Sequence, residues 1–430
     1  MRFSLRRWFG PSVRTRRWVI FLAGGVAMAC ISVFLAGLTI MMLTPFHLDT
    51  IRSFDPLAIA LAALSAFLLG FYWLSLGIRS SFQLLSMRDY ETSEKLRALM
   101  FRKQPAGPRP QLVALGGGTG LSSLLKGLKE LPIDLTAVVT VTDDGGSSGR
   151  LRKDLQILPP GDIRNCLVAL SGSESLLSRL FQYRFGEAGG EMGGHSFGNL
   201  FIAAMTGVLG DFGTAVRAAS QILSIRGQVL PVTCENVELI ARFEDGEELK
   251  GETAISAAGK RIVEMSLKPE EPLPNPEALA AIDRARLIVL GPGSLYTSVI
   301  PNLLVPEIAE RINRSPARVV YVCNVMSQPG ETDNFSAADH VTALLSRTPL
   351  RRIDVAVVNS RRAAKPLMER YEKMDQYWVP PTVTRIEDRG IRVVSGDFLQ
   401  ETDMVRHDSR ALAEVLAALI AEDPAVSIPA

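Results

Sequence analysis

Five short runs, Leu112–Leu115, Ala137–Val141, Leu287–Leu290, Val319–Val322 and Val355–Val358, carry no charge, are mostly rich in branched residues, and each leads into a glycine-rich or polar stretch. A strand without polar alternation has to bury both of its faces, which is the condition of a parallel sheet covered by helices on either side. Longer helical patterns follow the runs. The chain from about Gln111 onward is therefore expected to form an α/β, Rossmann-like, doubly wound and mainly parallel sheet, with any ligand at the carboxyl ends of the strands. The stretch from about Ile222 to Glu270 departs from this pattern. Shorter pieces such as Val237–Phe243 flank the turn Asp245-Gly246 and read as a hairpin-rich insert.

A length of 430 residues allows two or three domains, and 47% apolar with 21% charged residues implies packed structure. The formal charge of +2 gives no basis for a nucleic-acid partner. Cys30, Cys166, Cys234 and Cys323 are scattered, without a C-x-x-C pair, which argues against a zinc ribbon or a disulfide framework and for a reducing compartment.

No charged residue occurs from Trp18 to Phe46 or from Pro56 to Ile78. Roughly 20 apolar residues cross a bilayer core as a helix, so two transmembrane helices are expected, over about 18–43 and 57–78. Arg2, Arg6, Arg7, Arg14, Arg16 and Arg17 precede the first, Arg79 and Arg88 follow the second, and the short connection is poor in positive charge. The positive-inside rule then places the N-terminus and the main domain on the cytoplasmic side of the cell membrane. A rival reading is an export signal, given Arg16-Arg17 and Ala29-Cys30, but the first run exceeds the usual signal length of about 7–15 apolar residues and a second run follows. The organisation expected is a membrane anchor over 1–85, a polar stalk and proline-rich linker over 86–110 and a cytoplasmic domain over 111–430.

The chemistry is concentrated in the loops. Leu112–Leu115 runs into Gly116-Gly117-Gly118-Thr119-Gly120 and then a helical pattern. Backbone N–H groups converging at a helix N-terminus suit an anion, so Gly117, Gly118, Thr119 and Gly120 are phosphate-loop candidates; the alternative is a glycine turn used only for close packing. The run matches neither the dinucleotide fingerprint, because residue 121 is Leu, nor a Walker loop. The second strand leads to Asp143-Asp144-Gly-Gly-Ser-Ser-Gly-Arg150. Asp143 stands roughly where a dinucleotide fold places its ribose-binding acid, and Arg150 is suited to bidentate phosphate contact, although an ordinary acidic turn is also consistent. Asp162 in Pro160–Asn165 and Ser196 in Gly194–Asn199 stand where helical patterns begin, and each could serve simply as a cap. His195 reads equally as a structural hydrogen bonder. Gly291-Pro-Gly293-Ser294 repeats the phosphate-loop logic, and Asn324 and Gln328 end the next strand. No zinc-hydrolase or serine-hydrolase motif is present. No residue is assigned as catalytic or as a metal ligand, and acidic residues beside a phosphate suit either a hydrated Mg²⁺ or sugar hydroxyls.

Six ordered blocks, GGGTG at 116–120, TDDGGSSGRLR at 142–152, PGDIRNCL at 160–167, GHSFGNL at 194–200, GPGSLYTSVIPNLL at 291–304 and CNVMSQPGET at 323–332, together resemble the gluconeogenesis-factor family, within the superfamily of 2-phospho-L-lactate transferase. The resemblance covers nearly all of residues 111–422. It implies a cytoplasmic regulator that binds UDP-N-acetylglucosamine and supports cell shape and envelope synthesis during gluconeogenic growth, through envelope-synthesis or regulatory proteins the sequence does not identify. A homo-oligomer is left open. By motif match Asp143, Asp144 and Asn199 would line the ligand cleft, and Arg406 would contact the nucleotide-sugar. The transferase branch, which moves a phospholactyl group from a guanylyl donor to a deazaflavin, is the alternative; its acidic loop lacks the Gly-Gly-Ser-Ser-Gly-Arg run seen here. The two N-terminal spans depart from the family's commonly soluble form.

Overall fold

The computed structural model describes residues 28, 30–35, 57, 61, 63–72, 109–172, 176–402 and 404–422. The chain divides into two units, Met1–Ala106 and Gly107–Ala430, and the division falls within the proline-rich stretch. The described residues of the first unit are helical, and Ser32 Oγ donates to the Ala63 carbonyl at 2.9 Å. Val33, Phe34, Phe67 and Phe71 are exposed. No helix among the described residues is long and apolar enough to cross a membrane. The expected spans over 18–43 and 57–78 lie largely outside the described residues.

The second unit contains twelve strands among its described residues. They are β1 (Gln111–Gly116), β2 (Asp134–Val139), β3 (Gln228–Pro231), β4 (Glu238–Phe243), β5 (Glu248–Lys250), β6 (Ile262–Lys268), β7 (Leu287–Leu290), β8 (Arg318–Val322), β9 (Val355–Asn359), β10 (Arg392–Gly396), β11 (Leu399–Glu401) and β12 (Val405–His407). Seven of them form one sheet in the order β10-β9-β8-β7-β1-β2-β3, and every neighbouring pair is parallel.

The uncharged runs follow from burial on both faces. Along β1, Leu112 and Ala114 pack into one apolar cluster while Val113 and Leu115 pack into another, and β7 divides in the same way. The first cluster takes its helical share from α1 (Gly118–Leu128), α2 (Gly161–Leu170), α3 (Phe212–Ile222) and, at the end of the chain, Ser409–Ala421. Leu121, Leu124, Leu125 and Leu128 of α1 are fully buried, each contributing about 1.5–3 kcal/mol. The opposite face is covered by the helices Pro276–Arg284, Ile308–Arg314 and Ala337–Arg347 and by a small antiparallel sheet, β5-β4-β6.

That small sheet is the hairpin-rich insert, turning at Asp245-Gly246 as the sequence suggests. Its extent is corrected at one end: Gln228–Pro231 is β3, the edge strand of the main sheet beside β2. With four residues and a polar start, β3 is too short to show a burial pattern of its own. β10 was likewise not anticipated, because as an edge strand it is only partly buried.

The strand order reverses between β1 and β7. From β1 the chain proceeds outward through β2 and β3, and from β7 it proceeds the other way through β8, β9 and β10. The loops leaving adjacent strands there diverge to opposite sides and leave a crevice, which is where open α/β sheets bind ligands.

Candidate functional site

A cavity of about 470 Å³ opens at this reversal. One wall is made by Gly118, Thr119 and Gly120 at the start of α1, and by Pro292, Gly293 and Ser294 after β7. The two loops are in contact: a Cβ on Gly120 would stand 2.2 Å from the Pro292 carbonyl oxygen, so only glycine lets them approach. Asn324, at the end of β8, fastens the second loop by accepting from Gly293 N at 3.0 Å and donating to Gly293 O at 2.7 Å. Asn302 Nδ2 donates to Gly116 O at 3.1 Å and to Ser298 O at 2.8 Å, tying the end of β1 to the turn that follows β7.

Three carboxyl groups face the same space, those of Asp143, Asp162 and Glu252. Asp162 lies in the first turn of α2 and does not cap it, since the cap position is Pro160. Its carboxylate lies so close to the first glycine loop that a Cβ on Gly117 would be 2.5 Å from Oδ2, and it accepts the Gly118 N–H. Burial and the neighbouring Asp143 push its pKa up to about 7, against the pull of that hydrogen bond. Glu252 is pushed up to about 9, by burial first and then by Asp143, Asp162, Glu331 and Asp144. Two carboxyl groups in the cleft thus hold protons well above the ordinary carboxylate range.

Glu252 comes from the insert and is brought there by Asp144, whose Oδ1 accepts from Thr253 N at 2.8 Å and Thr253 Oγ1 at 2.7 Å. Asp144 therefore serves as the docking point of the short helix Glu252–Ala257 on the loop after β2. Behind it, Glu331 accepts from Ser256 Oγ at 2.9 Å, Thr297 Oγ1 at 3.2 Å and Tyr296 N at 3.3 Å, so the insert and the turn after β7 share one buried carboxyl group.

The opposite wall is of a different kind. Val325, Met326, Tyr371, Gln376 and Met404 line it, with Arg406 and His407 of β12. Arg406 is exposed and makes no ion pair among the described residues. Burial lowers the pKa of His407 to about 4, and its Nε2 lies 3.0 Å from the Cys323 carbonyl, so at neutral pH the ring is uncharged and donates that bond. Gln328 Nε2 donates to Ser294 Oγ at 2.7 Å, and its Oε1 is buried without a partner among the described residues.

Of the residues singled out from the sequence, Gly118, Thr119, Gly120, Asp143, Gly293, Ser294 and Arg406 line the cavity together. Gly117 and Gly291 lie behind it, against Asp162 and Leu121 respectively. Arg150 is turned away and donates to the Gly193 carbonyl at 2.6 Å. His195 Nδ1 is 3.0 Å from Ser147 Oγ, which also accepts from Asn199 Nδ2 at 3.1 Å. These residues clasp the loop after β2 to the segment around Gly194. Ser196 does cap its helix, accepting from Asn199 N at 3.2 Å. Asp162 was visible as a helix-start residue but not as a cleft acid. Glu252 had no sequence signal, because it reaches the site only through the folding back of the insert. Tyr371 and Gln376 arrive from a distant connection, again without a motif.

Comparison with known proteins agrees with this architecture. The model of the 2-phospho-L-lactate transferase CofD family matches residues 112–399. The gluconeogenesis factor of Bacillus subtilis is 47% identical, covering 74% of this chain and 100% of its own, and that of Halalkalibacterium halodurans is 46% identical, covering 72% and 96%. A relative from Nostoc sp. is 42% identical over 95% of this chain and 91% of its own, so that match extends into the N-terminal unit. A crystal structure of a UPF0052-family protein from Bacillus halodurans superposes with a TM-score of 0.70 at 45% identity, covering 72% of this chain and 100% of that one. The chain belongs to the gluconeogenesis-factor family, within the superfamily of 2-phospho-L-lactate transferase.

Proposed function

We propose that the cleft binds a nucleotide-sugar, UDP-N-acetylglucosamine, and that the protein acts as a regulator of cell shape and envelope synthesis during gluconeogenic growth. The observation that carries this reading is the composition of the cleft at the strand-order reversal. Two glycine loops and Arg406, which makes no ion pair among the described residues, suit a diphosphate, while Asp143, Asp162 and Glu252 offer acceptors for the hydroxyl groups of a sugar. Tyr371, Val325 and Met326 supply an apolar surface for a base.

Among the described residues no group of three or more His, Cys, Asp or Glu side chains could hold a metal ion. Asp143 and Asp162 beside a phosphate would nonetheless suit Mg²⁺ in its usual manner, with one or two carboxylates and the ligand's own oxygens completing the shell. Such an ion would offset the negative charge between phosphate and carboxylates.

The test is isothermal titration of the full chain with UDP-N-acetylglucosamine. Arg406→Ala removes a charge-assisted contact worth about 1.5–3 kcal/mol, so affinity should fall roughly tenfold or more while the melting temperature stays unchanged. Absence of heat with the wild type would reject the nucleotide-sugar. Equal binding by both proteins would remove Arg406 from the site. A transferase reading has one observation in its favour: a carboxyl group with a pKa of about 7, Asp162, is poised for proton transfer. Turnover of a guanylyl-phospholactate donor by the wild type would establish it.

We further propose that the N-terminal unit anchors the protein in the cell membrane by two spans, with both the N-terminus and the main domain cytoplasmic. The uncharged runs 18–46 and 56–78, the arginines that precede the first, and the exposed apolar side chains of Phe67, Leu68, Phe71 and Tyr72 support this. A reporter active only outside the cytoplasm, fused after Ala430, should be silent, and its activity would reverse the orientation.

A further inference from the structure

Ser294 and Ser298 line the cleft, whereas Tyr296, between them in the turn Leu295–Val299, lines a second cavity of about 570 Å³. This space lies between the edge of the insert and the helix Ala337–Arg347. The charged groups around it are engaged to different degrees. Lys260 is tied to Asp245 and Glu247. Asp339 accepts from Ser336 Oγ at 2.6 Å and pairs with Arg385 at 3.2 Å, Asp333 accepts from Gly330 N at 2.9 Å, and Glu331 is occupied by the three donors described above. Arg261 faces Glu244 at 3.7 Å with both side chains largely in solvent, a separation and exposure at which a pair contributes little. Arg347 makes no ion pair among the described residues, and its partner is the Tyr296 hydroxyl. Two cations are therefore held loosely or not at all by carboxylates, beside the ring of Phe335, which packs edge-on to Tyr296 with centroids 6.4 Å apart.

We propose that this cavity is a second ligand site, which takes a small organic phosphate with an apolar or aromatic body: the phosphate pairs with Arg347 and Arg261, and the body lies against Phe335 and Tyr296. Guanidinium groups pair with phosphate bidentately, and a neutral hydroxyl is a weaker partner for Arg347 than a phosphate dianion. The site is coupled to the cleft through one short segment. Tyr296 N and Thr297 Oγ1 both donate to Glu331, and the flanking residues Ser294 and Ser298 face the cleft, so an anion that draws Arg347 from Tyr296 acts on the turn that forms part of the cleft wall. The proposal concerns a different cavity and does not depend on which molecule the cleft binds.

Phenyl phosphate is the probe, titrated into the full chain with binding followed by ³¹P NMR and calorimetry. Saturable binding is expected, weakened roughly tenfold or more by Arg347→Gln and preserved in Arg406→Ala. Ser346→Trp, which fills the mouth of the cavity and leaves Arg347 and Tyr296 in place, should weaken it as well and serves if Arg347→Gln fails to fold. Hydrogen exchange at the amides of residues 294–299 should slow when phenyl phosphate is bound. Absence of saturable binding overturns the proposal, as does binding that survives Arg347→Gln and Ser346→Trp but is lost with Arg406→Ala, since the probe would then occupy the cleft. Binding at the second cavity with unchanged exchange at 294–299 would overturn the coupling.

Discussion

The wall of the cleft formed at the ends of β1 and β7 rests on strands buried on both faces, whereas the wall formed by Tyr371, Gln376 and residues 404–407 rests on a separate cluster whose buried members are Val325, Ala363 and Leu399. The first wall is stitched by side chains that reach across the fold, such as Asn302 to Gly116 and Asn324 to Gly293. The second depends on a two-stranded hairpin, β11 with β12, which is tied to its surroundings by bonds at its edges, from Arg361 to the Leu399 carbonyl at 3.0 Å, from Ala364 N to Glu401 at 3.1 Å, from His407 to the Cys323 carbonyl at 3.0 Å and from Val405 N to the Tyr371 hydroxyl at 2.8 Å. A region with few buried apolar contacts opens at lower free-energy cost than the global unit. The two walls thus suit different tasks: a fixed surface that sets where an anion and hydroxyl groups are held, and an adjustable one that closes on the remainder of the ligand.

The largest effect that would sharpen this contrast lies in the fixed wall, at Asp162. Its folded-state pKa of about 7 stands above the ordinary 3.8, so between those values the unfolded chain releases a proton that the folded chain keeps. The unfolded state then binds fewer protons, and stability falls as pH rises from about 4 to about 7, levelling off above. Glu252, raised from 4.5 to about 9, extends the decline further. Asp162→Asn keeps an acceptor for the Gly118 N–H and removes the titration. It should leave stability near that of the wild type at pH 4 and raise it by on the order of 2–4 kcal/mol at pH 8, read from urea midpoints. A constant difference at both pH values would show that Asp162 titrates normally and that the fixed wall stores no electrostatic strain.

How far the sequence reveals each wall follows the same division. The fixed wall is local: a strand, a glycine loop and a helix are consecutive in the chain, so Gly118–Gly120 and Gly293–Ser294 could be placed from the order of residues alone. The sheet was legible for a similar reason, since β1, β7 and β9, and β2 and β8 beyond their first residues Asp134 and Arg318, are uncharged because both faces are buried. β3 and β10 were not, because β3 has only four residues and starts on Gln228, and β10 is only partly buried. Arg150, His195 and Asn199 show the limit of motif reading. They belong to the blocks that carry the family resemblance, yet they bond to Gly193 and Ser147 behind the cavity and hold its loop in place. Glu252, Tyr371 and Gln376 reach the cleft only through tertiary contacts, which leave no periodicity or spacing in the chain.

The smallest predicted effect tests the adjustable wall. Tyr371 is 8% exposed, and its hydroxyl accepts the Val405 N–H. Tyr371→Phe keeps the ring and its packing while leaving that amide without its acceptor. The Val405 residue is only half-buried, so water can take over the bond, and the cost should fall in the range of about 0.5–1.5 kcal/mol. If the wall opens independently, this cost appears as faster hydrogen exchange confined to residues 399–407, with the urea midpoint of the sheet unchanged. Ligand affinity should weaken by less than the roughly tenfold expected for Arg406→Ala, because the hydroxyl positions the hairpin whereas the guanidinium touches the ligand. A drop in the global midpoint with no local change in exchange would mean that β11 and β12 unfold together with the main sheet. The two walls would then be parts of one cooperative unit, and the division between a fixed and an adjustable side would be wrong.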